Sequence, residues 1–310
     1  MERMPDVRLA AVCDDDADAL SAVSRWKAAD ERTRLYTDWR EMLDGERLHI
    51  VAECGVDGTR AEILVECARR RLHIISEKPL AMTLDELRAL RRGVAESGVR
   101  LSMLLTMRFE PAYRAMREAI RGGRIGEVVL ATMQKSYRLG NRPQWQRDRR
   151  TFSGIIPFIG IHALDLIRWT TGREFVQAVA YQSNAAHPEL GDMEDNATIA
   201  LKFDNRGSAS ARLDYCRPAA APTHGDDRLR VAGSEGVIES LACGSEVVLT
   251  TAAEGPRTLP LGEARQQFVD FVRTLQAGEP SQVPAEDCFR MTEICLKIRD
   301  AANTGRAVSL

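Results

Sequence analysis

The sequence predicts an α/β protein in which a doubly wound parallel sheet is followed by an α+β domain with a large, mostly antiparallel open sheet. Two patterns support this fold class. Up to residue 107, short continuous apolar runs, typical of strands buried on both faces, alternate with amphipathic helices. Beyond it, apolar and polar residues alternate singly, as in a sheet with one buried face. We therefore expect two domains, residues 1–107 and 108–310.

The first domain opens with an apolar run at residues 7–13, which predicts a buried strand. Leu20, Val23 and Trp26 follow at three-residue spacing and predict a helix. Further strands are predicted at residues 49–54, 72–76 and 99–106, with helices between them. This alternation is typical of a Rossmann-type sheet.

Two helix ends in this domain carry clear signals. Thr83 and Glu86 have the spacing of a capping box, which predicts a helix start, and Gly98 is placed to end that helix. The pair Thr37-Asp38 is predicted to cap a short helix that carries Trp39, Met42 and Leu43.

In the second domain, a helix around Tyr113–Ile120 comes before segments of single-residue alternation at 197–203 and 209–213. This period-two pattern predicts strands with one buried face. Two amphipathic helices, at residues 268–275 and 285–302, are predicted to close the chain.

The composition excludes several classes of protein. Lys and Arg total 43 against 45 Asp and Glu, a net charge of −2 without a basic stripe, so we expect no nucleic-acid partner. No apolar stretch approaches the ~18 residues of a membrane span, and the first residues lack a secretory pattern, so we expect no membrane association. The seven cysteines are scattered and predict reduced thiols in a cytoplasmic protein, without a metal site.

Asp14 follows the first predicted strand. An acid at the carboxyl end of such a strand can bind a ribose diol, although residues 14–16 could equally cap the next helix. A glycine-rich phosphate loop should precede such an acid by about 20 residues, and no G-x-G-x-x-G occurs in the sequence. We therefore expect the recorded sequence to start inside the nucleotide-binding unit, without its first strand and glycine loop.

Lys78 lies in Glu77-Lys78-Pro79, directly after the strand at 72–76. Ligands of open α/β sheets bind outside the carboxyl ends of the strands, and an ammonium there could orient a substrate hydroxyl or stabilise an oxyanion. The alternative is an exposed loop lysine.

His162 and Asp165 lie one turn apart on a predicted helix that begins near Gly160. A histidine can take a hydroxyl proton near neutral pH, which an alcohol must lose as it gives up hydride. Taken alone, His162 is more often a packing histidine.

Together these segments resemble the Gfo/Idh/MocA family, which includes glucose–fructose oxidoreductase and inositol dehydrogenases. The resemblance runs the length of the chain and depends most on Glu77-Lys78-Pro79 and on the G-x-H-x-x-D pattern of Gly160, His162 and Asp165. It implies a Rossmann domain that binds NAD or NADP, a second domain whose open sheet lines the pocket, and a homodimer or homotetramer. Sugars, polyols and related cyclic alcohols or ketones are the implied substrates.

The resemblance also implies roles for individual residues. Lys78 and His162 match the catalytic pair, with His162 exchanging the proton and Lys78 polarising or positioning the reacting oxygen. The implied cofactor site contains Asp14, Cys54, Glu77, Lys78 and Arg108, and Asp14 favours NAD over NADP. Tyr137, Trp145 and Asp165 are the implied substrate-pocket residues.

Several positions depart from the family pattern. Phe158 replaces an aspartate four residues before the histidine, and we expect it neither to accept a proton nor to pair with Lys78. Arg60 replaces a common histidine, Gly55-Val56 replaces Thr-Pro, and Glu53 is an unexpected charge in a strand. The alternative function is therefore a non-catalytic family member that acts as a binding or dimerisation module.

Overall fold

The computed structural model describes Met4 and residues 6–310. The first domain holds two small parallel sheets. One pairs β1 (Ala11–Cys13) with β2 (Arg34–Tyr36), and the other has the order β3-β4-β5, formed by Ile50–Glu53, His73–Ser76 and Leu101–Met103. In the part of the chain that is described, no strand joins β1 to β3, so the predicted parallel sheet is present in two pieces.

Four helices connect these strands as expected. They are α1 (Ala17–Ser21), α2 (Trp39–Gly45), α3 (Asp57–Arg69) and α4 (Leu84–Ser97). The Thr83 capping box is present, with both reciprocal hydrogen bonds, and Gly98 ends α4 in the left-handed conformation. Asp38 caps α2 through the backbone N–H of Arg40.

The start of this domain differs from the prediction in two respects. Strand β1 spans three residues rather than the predicted seven, because only Ala11–Cys13 pair with β2. Trp26 does not continue the apolar face of α1: the helix ends at Ser21, a 3₁₀ turn follows, and Trp26 is 47% exposed.

The second domain contains the predicted large sheet. Its nine strands have the order β13-β12-β11-β10-β6-β9-β8-β7-β14, and every pair is antiparallel except β6–β9. The strands are β6 (Val128–Ser136), β7 (Phe175–Ser183), β8 (Asn196–Phe203), β9 (Ser208–Asp214), β10 (Arg228–Gly233), β11 (Gly236–Leu241), β12 (Glu246–Thr251), β13 (Arg257–Thr258) and β14 (Val308–Ser309).

Helices cover one face of this sheet. Helices α5 (Pro111–Arg121) and α6 (Ile161–Thr171) pack on it, and alternate strand residues point into the core beneath them. The opposite face leaves large apolar side chains exposed, among them Val129, Val176 and Tyr181.

The last two helices return to the first domain. Helix α7 (Gln267–Ala277) starts with Gln267, whose side-chain amide donates to the Met103 carbonyl at 2.8 Å. Helix α8 (Ala285–Thr304) packs against α4 and β5 on one side and against α6 and β7 on the other. The boundary we propose at residue 107 separates the sheets, whereas α7 and α8 join the two domains.

Among the described residues, no helix combines the length and the apolarity that a membrane crossing requires. All seven cysteines have free thiols, and three of them, Cys67, Cys288 and Cys295, are buried in the apolar core.

Candidate active site

Lys78 follows β4 and lies at the carboxyl end of the parallel sheet. Its Nζ is 3.5 Å from the centre of the Phe158 ring, which belongs to the second domain. The Glu77 carboxylate is 3.9 Å away, and 12% of the Lys78 side chain is exposed. Burial lowers the pKa of Lys78 to about 8, although Glu77 and Asp57 act in the opposite direction. The lysine is therefore mostly enclosed, and its amine gives up its proton more readily than that of an exposed lysine.

A buried arginine holds the loop that carries Lys78. The Arg60 guanidinium donates to the Pro79 carbonyl at 2.9 Å, to Glu53 at 2.6 Å and to Asp57 at 2.9 Å. It also donates to the Gly55 carbonyl. Arg60 therefore ties α3 and the end of β3 to the lysine loop, and it explains the unexpected charge of Glu53.

His162 lies near the start of α6, immediately after a π-helical turn at Ile156–Gly160. Such turns are frequent at functional sites. Gly160 lets this segment approach β9 closely, since a Cβ at that position would lie 2.7 Å from Leu213 Cδ1. The close approach places His162 against the sheet.

We expect Gly160→Ala to destabilise the protein by about 1–3 kcal/mol, because the added methyl group overpacks the contact with the buried Leu213. Activity should fall as well, since His162 is displaced. Gly93→Ala in α4 is the matched control: its nearest neighbour, the Ala68 Cβ, is 3.6 Å away, so it should be neutral or stabilise slightly. Urea denaturation of both variants measures the difference, and equal effects would contradict the proposed close approach.

The environment of His162 is cationic. Burial holds its pKa well below the usual value, and the positive charges of Lys135 and Lys78 add to this shift. Nδ1 is buried and has no hydrogen-bond partner among the described residues. Lys78 and His162, from different domains, are thus close enough for one to affect the protonation of the other.

Phe158 contacts Lys78, contrary to the expectation from the sequence. Its ring face offers the ammonium a cation–π contact. Trp145 and Phe152 pack edge-on against the same ring, with centroid distances of 5.9 and 5.2 Å. Trp145 thus reaches the site through Phe158.

Lys135 is a further site residue, which the sequence analysis missed. It is 1% exposed, and its Nζ donates to Asp227 at 2.6 Å. Tyr137 donates its hydroxyl proton to the same oxygen at 3.2 Å, which places this predicted pocket residue beside the pair. The other Asp227 oxygen is buried without a partner in the described part of the chain. Because Lys135 also lowers the pKa of Lys78, the pair borders the lysine–histidine site.

The sequence did contain a signal for Lys135. Strand β6 buries Val128, Ala131 and Met133, and Lys135 continues that inward face. A charge at an inward position of an alternating strand requires a buried partner. The partner, Asp227, lies 92 residues later and no local pattern marks it.

Arg108 and Asp165 pair with each other in the interior. Arg108 donates to both Asp165 oxygens, at 2.9 and 2.5 Å, and both side chains are at most 2% exposed. Arg108 also donates to Asp287 on α8 and to the Gln282 carbonyl. We therefore replace the expected cofactor role of Arg108 and pocket role of Asp165 with a proposed structural role.

The expected cofactor residues lie at strand ends. Asp14 follows β1 and is exposed, and it accepts a hydrogen bond from the Asp16 backbone N–H, while Asp16 is the residue that caps α1. Cys54 follows β3, beside the Glu77 that follows β4, and burial raises the pKa of its thiol to about 11.

These positions fit part of a dinucleotide. An exposed carboxylate after β1 suits a ribose diol, and Cys54 and Glu77 follow the paired strands β3 and β4 next to Lys78, at the edge where open α/β sheets bind ligands. The residues present are thus compatible with the ribose and nicotinamide ends of such a group.

A parallel sheet with a lysine at its carboxyl edge, joined to a domain that contributes a histidine from helix α6, is the arrangement expected of an NAD-binding oxidoreductase. The sequence profile of an oxidoreductase family with an NAD-binding Rossmann fold matches residues 1–105. The profile of the GFO/IDH/MocA C-terminal domain matches residues 113–239. The chain belongs to the Gfo/Idh/MocA oxidoreductase family, as the resemblance implied.

Known proteins agree with this membership. A Thermotoga maritima protein of solved structure, assigned provisionally as an oxidoreductase, superposes with a TM-score of 0.92 at 31% identity, over 99% of this chain and 94% of that one. Myo-inositol dehydrogenase Hyg17 of Streptomyces leeuwenhoekii is 30% identical over 78% of this chain and 72% of its own length. A 1,5-anhydro-D-fructose reductase of Ensifer adhaerens is 29% identical over 77% and 72%.

Proposed function

We propose that this protein transfers hydride between a nicotinamide cofactor and a secondary alcohol or ketone carbon of a sugar, polyol or related small molecule. The observation that carries the proposal is the contact of the Lys78 amine with Phe158, four residues before His162, which brings residues of the two domains to one site. The charge of Lys78 contributes to the lowered pKa of His162. An alcohol carbon that loses hydride must also lose its hydroxyl proton. Two titratable nitrogens at one site supply a proton acceptor and a hydrogen-bond partner for that oxygen.

The relatives support the substrate class. Those reported above are named as a myo-inositol dehydrogenase and a sugar-derivative reductase. The polar groups of Lys135, Tyr137 and Asp227 beside the site suit a substrate with several hydroxyl groups. Trp145 adds an aromatic wall, next to Phe158, for the apolar face of such a ring.

We propose that NAD is the cofactor, with NADP as the weaker alternative. A bound nicotinamide supplies the hydride acceptor or donor. Asp14 would hold the adenosine ribose, and a carboxylate at that position repels a 2′-phosphate. Cys54 and Glu77 would border the nicotinamide end, next to Lys78.

The proposed setting is a cytoplasmic homodimer or homotetramer. The free thiols are consistent with a reducing compartment. The open sheet leaves Val129, Val176 and Tyr181 exposed on its outer face, where a second copy could cover them.

The cofactor proposal is tested by fluorescence titration of the full chain with NADH and with NADPH. We expect NADH to bind more tightly, and Asp14→Ala to weaken NADH about tenfold, as the loss of about 1.4 kcal/mol of ribose binding would. Asp15→Ala removes the neighbouring exposed carboxylate and should leave binding unchanged. Tighter binding of NADPH, or equal effects of the two substitutions, would contradict the proposed role of Asp14.

A further inference from the structure

The ring of Phe158 lies beneath the amine of Lys78. The Lys78 Nζ lies 3.5 Å above the ring centre, within the range of a cation–π contact. Trp145 and Phe152 hold the ring from two sides, and Phe152 is fully buried. The position of the ring, and with it that of the Lys78 amine, is therefore fixed by packing.

Phe158 also leaves His162 without a carboxylate partner on its own helical segment. Phe158 is four residues before His162, so the two lie on one side of the helical segment. A carboxylate there could pair with the imidazole, whereas a phenyl ring cannot. His162 Nδ1 is buried without a partner among the residues described, and the charged groups that act on the ring are the cations Lys135 and Lys78. His162 is therefore held neutral.

The groups around Lys78 leave its charge only partly compensated. Both carboxylate oxygens of Asp57, in α3, accept hydrogen bonds from groups other than Lys78. One accepts from Arg60 and the other from the Ser153 backbone N–H and hydroxyl.

Glu77 is 3.9 Å from the Lys78 ammonium and 35% exposed, so solvent screens it. Arg60 of α3 and Lys135 of β6 disfavour the protonated lysine, as does burial. His162 of α6 is neutral. The Phe158 ring thus stabilises the Lys78 ammonium at a place where no buried carboxylate of the described residues pairs with it.

We propose that Phe158 is a positioning residue that makes Lys78, rather than His162, the proton-exchanging group of the site. In this arrangement His162 remains neutral and serves as a hydrogen-bond partner of the reacting oxygen. The inference rests on the proposed function, and it reverses the roles that the family resemblance implies for the two residues.

The proton balance of the oxidation is as follows. The substrate O–H bond breaks and its proton passes to the Lys78 amine, which becomes an ammonium. A bound oxidised nicotinamide would accept the hydride that leaves the alcohol carbon with both electrons of its C–H bond, and the C–O bond becomes a carbonyl. The ammonium then returns its proton to solvent, and reduction follows the same path in reverse.

The direct test needs no substrate. The rate at which an amine-selective reagent labels Lys78, followed by peptide mass spectrometry as a function of pH, reports the midpoint of the amine's titration. We expect a midpoint near pH 8 in the wild-type chain. Phe158→Leu removes the π face and should lower the midpoint by roughly half a unit or more. Phe158→Asp adds a carboxylate and should raise it by about 1–3 units.

A series of isosteric side chains at position 158 separates the electrostatic effect of the ring on the midpoint from the effect of changed packing. Phenylalanines with increasing fluorination at position 158 keep the shape of the ring but weaken its negative face, so the midpoint should fall step by step. Phe203→Leu, in a stacked aromatic pair of the second sheet, is a control for the loss of a packed ring and should leave the midpoint unchanged. A midpoint that does not respond to fluorination and to Phe158→Asp overturns the inference.

Kinetics separates this inference from the proposed function. The rate of alcohol oxidation, as kcat/KM, should rise with pH through about 8, because the neutral amine is the acceptor. His162→Gln should lower the rate but keep that pH limb, and Phe158→Asp should move the limb upward. Turnover whose pH limb disappears in His162→Gln contradicts the role of Lys78 and leaves the proposed function standing. An absence of turnover on all secondary alcohols contradicts the proposed function, while the labelling midpoints still decide the role of Phe158.

Discussion

Replacing Lys78 with alanine is expected to lower kcat for alcohol oxidation by about 10²–10⁴-fold. The substitution removes the proposed proton acceptor, and His162 is too weak a base to replace it, since burial and Lys135 hold its pKa well below the usual value. Affinity for NADH should change little, because Lys78 faces the reacting end of the site. Steady-state rates and NADH titration of the same preparation measure both quantities.

Lys202→Ala is the matched control for the loss of a lysine. Lys202 is exposed on β8, in the second sheet, and its removal should leave both quantities unchanged. A Lys78→Ala variant that keeps more than about a tenth of the wild-type rate would contradict a proton-exchanging role, which is worth at least ~10²-fold.

Replacing Arg108 with methionine is expected to destabilise the protein by about 3–5 kcal/mol, since removing one partner of a buried ion pair leaves uncompensated charge. Here Asp165 would remain buried, and Asp287 would lose the contact that joins α8 to the 3₁₀ turn of Arg108. Urea denaturation of the chain without cofactor gives the change directly.

Arg88→Met provides the comparison. Arg88 pairs with Asp85 on the exposed side of α4 and is 62% exposed, so its loss should have little effect. If Arg108 bound cofactor instead of stabilising the fold through its buried ion pairs, its substitution would reduce NADH affinity. It would then hardly change the free energy of unfolding of the unliganded chain.

Much of the fold could be predicted because its signals are local. The capping box at Thr83, the cap at Asp38 and the single-residue alternation of β8 and β9 are all present in the structure. The placement of Lys78 at a strand end follows from the same rules, because a parallel strand brings the residue after it to the ligand edge of the sheet.

The contacts that shape the site could not be predicted because they join distant positions. Lys135 and Asp227 are 92 residues apart, and Arg108 and Asp287 are 179 residues apart. No spacing rule connects such pairs. Phe158 shows a second limit: its lack of a carboxylate is visible in the sequence, whereas its contact with the Lys78 amine depends on how the two domains meet.

The central claim is hydride transfer at a secondary alcohol carbon next to Lys78. It is tested most directly with cyclic polyols and sugars that carry deuterium on their secondary alcohol carbons, incubated with the full chain and NAD. The account predicts that at least one of them reduces NAD, that the deuterium appears on the nicotinamide ring, and that Lys78→Ala slows the transfer at least ~10²-fold. A chain that binds NADH but transfers deuterium from none of these alcohols, or transfers it equally well without Lys78, would contradict it.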